Sequence, residues 1–174
     1  MTTVGHDPDL ERVVRAILAE LVRLTGLSSL YLARTRVLED EQEILFSLNT
    51  SDDLHIPEDV TIPWSEGVCR FVVEGGPAYT DNVPEVFPHS GAARLLGIQT
   101  FISYPVFTSE GKFFGTLCGA SHARVKVDRD TLDIVRERAR QIGSWIRGEA
   151  YEPDPETARL VAPPSSETTK PRPA

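Results

Sequence analysis

No part of this 174-residue chain offers the run of about 18 apolar residues that a membrane-crossing helix needs. The opening stretch, Met1 to Asp9, lacks both the basic segment and the apolar core of a secretory signal. The chain therefore reads as soluble and cytoplasmic, with no membrane partner. Cysteine is scarce as well. Cys69 and Cys118 are the only two, too few for a disulfide framework, and in a reducing compartment both are expected as thiols. Clusters of basic residues are missing. Eighteen Lys and Arg stand against 26 Asp and Glu, a formal net charge of -8, which argues against non-specific nucleic-acid binding, since phosphate neutralisation demands concentrated positive charge. There is no Gly-x-Ser-x-Gly elbow, kinase signature set or Gly-rich phosphate loop, so the common hydrolase and kinase constellations are excluded. His55, His89 and His122 show no metal-ligand spacing such as His-x-x-x-His; no metal is expected, and the sequence names no cofactor.

What is present is enough for one domain with appendages. Leu10, Val13, Val14, Ile17, Leu18, Leu21, Val22 and Leu24 recur at helical spacing with charges on the opposite side, and Thr25-Gly26 supplies a stop. Ser29 to Arg36 and Glu43 to Leu48 are β-prone runs around the charged stretch Leu38 to Gln42, which predicts a hairpin. After a polar loop, Val60 to Pro63 predicts a short strand, Glu66 to Glu74 a helix, and Ala78 to Thr80 another strand. Asp81 to His89 contains Pro84 and Pro88 and reads as largely loop, followed by a brief helix from Gly91 to Leu96. Thr100 to Phe107 and Lys112 to Ala120 flank a four-residue turn ending in Gly111 and are nearly all apolar, as central strands covered on both faces should be. Asp128 caps a last helix whose Leu132, Val135, Ala139, Ile142 and Ile146 form a seam suited to coiled-coil-like pairing. The domain is thus placed at 9-148, between a flexible N-terminus at 1-8 and a disordered Pro-rich tail at 149-174.

The segment Thr61 to Cys69 holds the most chemistry. It reads as a strand running into a helix, with Ser65 as N-cap and Cys69 in the first turns, where unsatisfied N–H groups and the helix dipole favour anions and acidify thiols. Cys118 lies in the apolar run Phe113 to Ala120. Both cysteines fit equally well as small apolar filler.

The element order, together with Ile62-Pro63-Trp64-Ser65 followed by Val68-Cys69-Arg70, Tyr79-Thr80-Asp81-Asn82-Val83-Pro84, and Ile102-Ser103-Tyr104-Pro105-Val106 with Phe114-Gly115-Thr116-Leu117-Cys118-Gly119, resembles the GAF domain, a sensory relative of the PAS fold. The resemblance spans about Asp9 to Arg147. It implies an α/β/α sandwich with a central, mainly antiparallel sheet of five or six strands, the terminal helices on one face and a ligand pocket on the other, under the helix that contains Cys69. Members of the family bind cyclic nucleotides, bilins, haem or amino-acid-like molecules, so the implied role is small-molecule sensing. The implied ligand site comprises Trp64, Ser65, Cys69, Arg70, Asp81, Asn82, Ser103, Thr116 and Cys118. Read alone, Asp81 and Asn82 also serve as turn residues, Arg70 as a solvated helix residue and Trp64 as packing before a helix.

Two narrower resemblances follow. Gly67-Val68-Cys69 is similar to free methionine-(R)-sulfoxide reductases of the same family, which implies a cysteine-dependent enzyme using Cys69 and Cys118. The loop from Phe87 to Ala93, where those enzymes carry a further cysteine, has none, and Cys118 stands where they carry an acidic residue. Phytochrome-type members follow the chromophore cysteine with His, whereas Arg70 follows Cys69 and Gly119 follows Cys118. The expectation is a stand-alone sensory domain that responds to a small molecule or to thiol state and signals through association: a homodimer through its terminal helices, and an unidentified signalling partner. The alternatives are the reductase and a scaffold with a vestigial pocket.

Overall fold

The computed structural model describes residues 7–146; the expected flexible start, apart from Asp7 and Pro8, and the Pro-rich tail lie outside the described residues. Helix α1, Pro8–Thr25, starts just before the expected domain boundary because Asp7 is its cap, the carboxylate accepting from the N–H groups of Asp9 and Leu10. It stops at Gly26, whose φ of 74° is the left-handed conformation that glycine adopts without penalty. Leu10, Val14, Ile17, Leu18 and Leu21 form its buried stripe, while Leu24 falls off that stripe and is exposed.

Six strands follow: β1 (Ser29–Arg36), β2 (Glu41–Asn49), β3 (Thr61–Pro63), β4 (Tyr79–Thr80), β5 (Thr100–Phe107) and β6 (Phe113–Ser121). They form one sheet in the order β3-β2-β1-β6-β5-β4, every pair antiparallel. β1 and β6 lie at its centre, and each of the nine residues of β6 is buried, as the continuous apolar run anticipated. β2 begins at Glu41, earlier than expected. Its first residues pair with Arg36, Thr35 and Arg34 of β1, so charge in the hairpin marks strand residues rather than a longer loop. A bulge at Leu45, which sits between the pairs Leu32–Phe46 and Ala33–Ile44, turns both Leu45 and Phe46 to one face and leaves Ile44 on the other.

Between the strands lie α2 (Val68–Val73), α3 (Val83–Val86) and α4 (Gly91–Leu96), and α5 (Arg129–Ser144) closes the domain. The stretch Asp81 to His89 is less loop-like than predicted: Pro84 sits in the first turn of α3, where a missing N–H costs nothing. Ser90 caps α4, and Asp128 caps α5 through the N–H of Thr131.

The sheet separates two apolar cores. One holds the stripe of α1, Leu30 and Leu32 of β1, Ile102 and Val106 of β5, Val135, Ala139 and Ile142 of α5, and Ile146 just beyond it. The other holds Tyr31, Ala33, Ile44, Phe101, Cys118 and Ala120 of the sheet under Trp64, Val68, Cys69, Val83, Phe87 and Ala93. Terminal helices on one face and short helices on the other is the expected sandwich. Most of the expected seam, however, is covered within the chain: Val135, Ala139, Ile142 and Ile146 are each at most 1% exposed, and Leu132 is half-buried against the same core. Period alone does not distinguish a seam facing a second copy from one facing a sheet, and here it faces the sheet. α5 approaches so closely that a Cβ on Gly143 would lie 1.8 Å from the carbonyl oxygen of Phe107. Arg138 of α5 holds Glu20 of α1 by its guanidinium, at 2.5 and 3.3 Å.

Candidate thiol site beneath helix α2

Sheet register brings the site together. Across β1, β6 and β5, Tyr31 pairs with Cys118 and Cys118 with Ser103; in the next row Ala33 pairs with Thr116. Side chains two apart on a strand share a face, so Cys118, Thr116 and Ser103 point together to the side that α2 covers. From above, α2 lowers Cys69. The two sulfurs are 3.1 Å apart, and each cysteine is 1% exposed. Ser103 Oγ lies 3.5 Å from Cys118 Sγ. Cys118 Sγ donates to Thr116 Oγ1 at 3.2 Å, and Gln42 Nε2 donates to the same oxygen at 3.3 Å. Ser103, Thr116 and Gln42 are buried to within 1%. This is a polar island in an apolar core, and such islands persist only when their members bond one another. One group does not: Thr35 Oγ1, cross-strand from Gln42, has no hydrogen-bond partner among the described residues.

The two thiols are unlike. Burial pushes Cys69 up, but hydrogen bonds from Cys118, Thr116, Gln42 and Ser103 together outweigh it and bring the thiol down to about 6. Cys118 goes the other way. Burial, then the hydrogen bond and charge of Cys69, hold it well above the ordinary thiol range. Cys69 is thus the sulfur of the pair that ionises first, and Cys118 the one that holds its proton. Burial, and then the charges of Cys118 and Cys69, push the Tyr31 hydroxyl well above its ordinary range.

Cys69 lies in the first turn of α2, as expected, and the causes of its acidity are the side-chain hydrogen bonds just named; the expected cap is not there. Ser65 does not cap α2; it lies in a separate 3-10 turn, Trp64–Glu66, and Gly67 takes the cap position with no side-chain hydrogen bond. The Ser65 hydroxyl and N–H both bond the carboxylate of Asp40, at 2.9 and 2.7 Å. Asp40, in the charged stretch between β1 and β2, thereby holds the 3-10 turn to the hairpin.

The remaining expected site residues divide. Trp64 is buried at 6% and packs in the same core as the cysteines. Arg70 points away, bonding Glu74 at 3.0 Å and the Ser65 carbonyl at 3.4 Å. Asp81 pairs with Arg124 through its carbonyl and carboxylate. Asn82 closes a local turn with Thr80 and bonds Glu85. The structure therefore gathers Trp64, Cys69, Ser103, Thr116 and Cys118, and leaves Ser65, Arg70, Asp81 and Asn82 outside the cluster. Gln42 and Tyr31 were missed. The signal for Gln42 was alternation with Ile44, obscured by the acids around it. His122 bonds the carbonyls of Gly97 and Asp53, and among the described residues no group of His, Cys, Asp and Glu could hold a metal ion. None of the described helices is long and apolar enough to cross a membrane.

A pH dependence follows. Between about pH 6 and the ordinary thiol value of about 8.5, Cys69 is ionised in the folded chain and protonated in the unfolded one. The unfolded state then binds more protons, so stability rises with pH across this window and the contribution is lost as pH falls through about 6. Above the window Cys118 opposes the trend, because it keeps its proton when folded and loses it when unfolded. Urea titrations under reductant are expected to show a rise from pH 6 to 8 of at most about 1.4 kcal/mol per unit, abolished in Cys69→Ser; an unchanged slope in that variant would assign the effect to other groups.

Comparison with known proteins places the chain in a family. The sequence model of the GAF domain matches residues 7–147. Diguanylate cyclase DgcP of Escherichia coli (strain K12) is 32% identical over 148 residues, which cover 85% of this chain and 43% of that protein; the chain thus spans less than half the length of that relative. Among solved structures, the blue-light absorbing form of the Thermosynechococcus elongatus PixJ GAF domain superposes with a TM-score of 0.62 at 12% identity, over 78% of this chain and 83% of that one. The chromophore binding domain of Stigmatella aurantiaca phytochrome P1 gives 0.62 at 12% identity, over 81% and 61%, and the phycoerythrobilin-bound GAF domain of a cyanobacterial phytochrome 0.60 at 14%, over 76% and 84%. At such identities these structures speak for the fold. The family match covers most of the chain, the sheet order and two-sided helices agree with the fold of these neighbours, and the chain belongs to the GAF domain family.

Proposed function

We propose that this GAF domain is a sensory-regulatory module whose input is the oxidation state of the Cys69–Cys118 pair. One observation carries the reading: the two cysteine sulfurs lie 3.1 Å apart, and each cysteine is 1% exposed. A disulfide needs the sulfurs at about 2.05 Å, so bridging asks for a closure of about 1 Å, within reach of a six-residue helix bounded by Gly67 and by Gly75-Gly76. Bridging would draw α2 onto β6 and shift the neighbouring segment from Asp81 to Leu96. The signal leaves through association in a reducing cytoplasm, either with a second copy through the terminal helices or with a partner such as a catalytic domain, since the relative named above is a diguanylate cyclase. With the α5 seam covered, the large apolar side chains that α1 and the end of α5 present are Leu24 and Trp145, 45% and 50% exposed.

The same face would serve a small-molecule ligand, which is the coarser role of the family; it would have to displace side chains that now fill the space. A cysteine-dependent methionine sulfoxide reductase is the enzymatic alternative, and thioredoxin-coupled turnover of free methionine sulfoxide tests it. The decisive experiment counts thiols in the native full chain before and after diamide or oxidised glutathione, with intact mass and sedimentation on both forms. The expected result is loss of both thiols, a mass lower by two hydrogens, reversal by reductant and a changed sedimentation coefficient. Two thiols that persist under both oxidants remove the redox reading; bridging without any change in sedimentation removes the association output.

A further inference from the structure

The two cysteines occupy mechanically different places. Cys118 is at the middle of the sheet, on a strand paired along both edges with β1 and β5. Cys69 rides on α2, which is six residues long, carries no side-chain cap and ends two residues before a Gly-Gly pair. Local opening that admits a reagent therefore moves Cys69 and leaves Cys118 fixed, because short, weakly anchored elements open at lower free energy than central strands. The hydrogen-bonding groups around the sulfurs are neutral: the hydroxyls of Thr116 and Ser103 and the carboxamide of Gln42. No charged side chain is among them, and Thr35 Oγ1, on the same sheet face, is buried without a partner among the described residues. Such surroundings suit a small, uncharged, hydrogen-bonding oxidant and disfavour an anionic one, whose desolvation nothing here repays.

We infer that the oxidant is a hydroperoxide, with Cys69 the attacking sulfur and Cys118 the resolving sulfur. This rests on the redox reading of the same pair. The Cys69 thiolate attacks the terminal oxygen of the hydroperoxide; an S–O bond forms, the O–O bond breaks, and the leaving alkoxide takes up a proton to become an alcohol, or water when the oxidant is hydrogen peroxide. Cys69 is then a sulfenic acid. Cys118 attacks the Cys69 sulfur; the S–S bond forms, the S–O bond breaks, and hydroxide leaves as water with the proton that Cys118 gives up. Overall two thiols lose two electrons and two protons, and the hydroperoxide is reduced to an alcohol and water. Ser103 and Thr116 act as positioning residues, holding the Cys118 sulfur within 3.5 and 3.2 Å of their oxygens.

The test traps the intermediate in the full chain. Cys118→Ser and Cys118→Ala are each treated with one equivalent of hydrogen peroxide, and in parallel with cumene hydroperoxide, in the presence of dimedone. The expected result is a dimedone adduct on the peptide containing Cys69, forming at least tenfold faster than any adduct on Cys118 in Cys69→Ser. Circular dichroism checks the fold, and the second Cys118 variant stands in if the first is not native. Equal labelling of the two cysteines, or faster labelling of Cys118, overturns the assigned polarity. A wild-type disulfide that forms with diamide but not with either hydroperoxide overturns the oxidant class while the redox reading survives. A pair that diamide and oxidised glutathione also leave reduced removes the parent reading.

Discussion

Gly143→Ala is expected to destabilise the domain by about 3 kcal/mol or more and to lower Tm by on the order of 10 °C. Glycine inside a helix ordinarily costs up to about 1 kcal/mol relative to alanine, so propensity alone predicts a gain. The packing reverses the sign. The added Cβ would sit 1.8 Å from the Phe107 carbonyl oxygen and 3.0 Å from its carbon, both backbone atoms of β5 that no rotamer change can move. Relief requires lifting α5 off the sheet, which opens the contacts of Ala139, Ile142 and Ile146 in the same core. Ser144→Ala, one residue along and exposed, is the control and is expected to stay within about 0.5 kcal/mol of the parent. Urea unfolding of the three proteins decides the matter; a Gly143→Ala variant as stable as the parent would show that α5 slides freely over β5.

Phe101→Ala is expected to cost about 3–5 kcal/mol, the range for removing a buried aromatic ring, and also to speed oxidation of the cysteine pair. Phe101 is 1% exposed and lies on the α2 side of β5, in the row beside Ser103 and Cys118. Truncation leaves a void beneath α2, and part of the stability loss becomes easier opening around Cys69. Phe114→Ala provides the comparison. Phe114 is equally buried but belongs to the core on the opposite face, so a similar loss of stability is expected with a much smaller change in thiol reactivity. Urea unfolding and timed thiol titration of both variants give the two readouts. Equal acceleration in both would mean that the thiols are reached by global unfolding and that the α2 face has no opening of its own.

Much of the fold was legible because its signals are local. The helical stripe from Leu10 to Leu21, the caps Gly26 and Asp128, and the apolar runs of β5 and β6 each carry their meaning within a few residues of sequence. The site was legible only in outline. That Cys69 and Cys118 meet depends on the register of β6 against β1 and β5 and on how low α2 settles, and neither is written in a spacing. Asp40 shows the same limit: three neighbouring acids look solvated, yet the middle one, at φ 54°, binds Ser65 across 25 residues of sequence. Asp81 and Asn82 illustrate the reverse. Their turn chemistry was readable locally, and the local bonds are the ones they make.

The short outer strands of the sheet bear on how copies of this protein behave when crowded. β3 has three residues and ends in Pro63, which has no N–H to offer, and β4 has only two. Border strands this short, one of them ending in a residue without an N–H, offer little of their own backbone to an incoming strand, and a short edge strand or an edge proline is a known device against edge-to-edge pairing. At these two borders, then, pairing with another sheet is discouraged by the strands themselves.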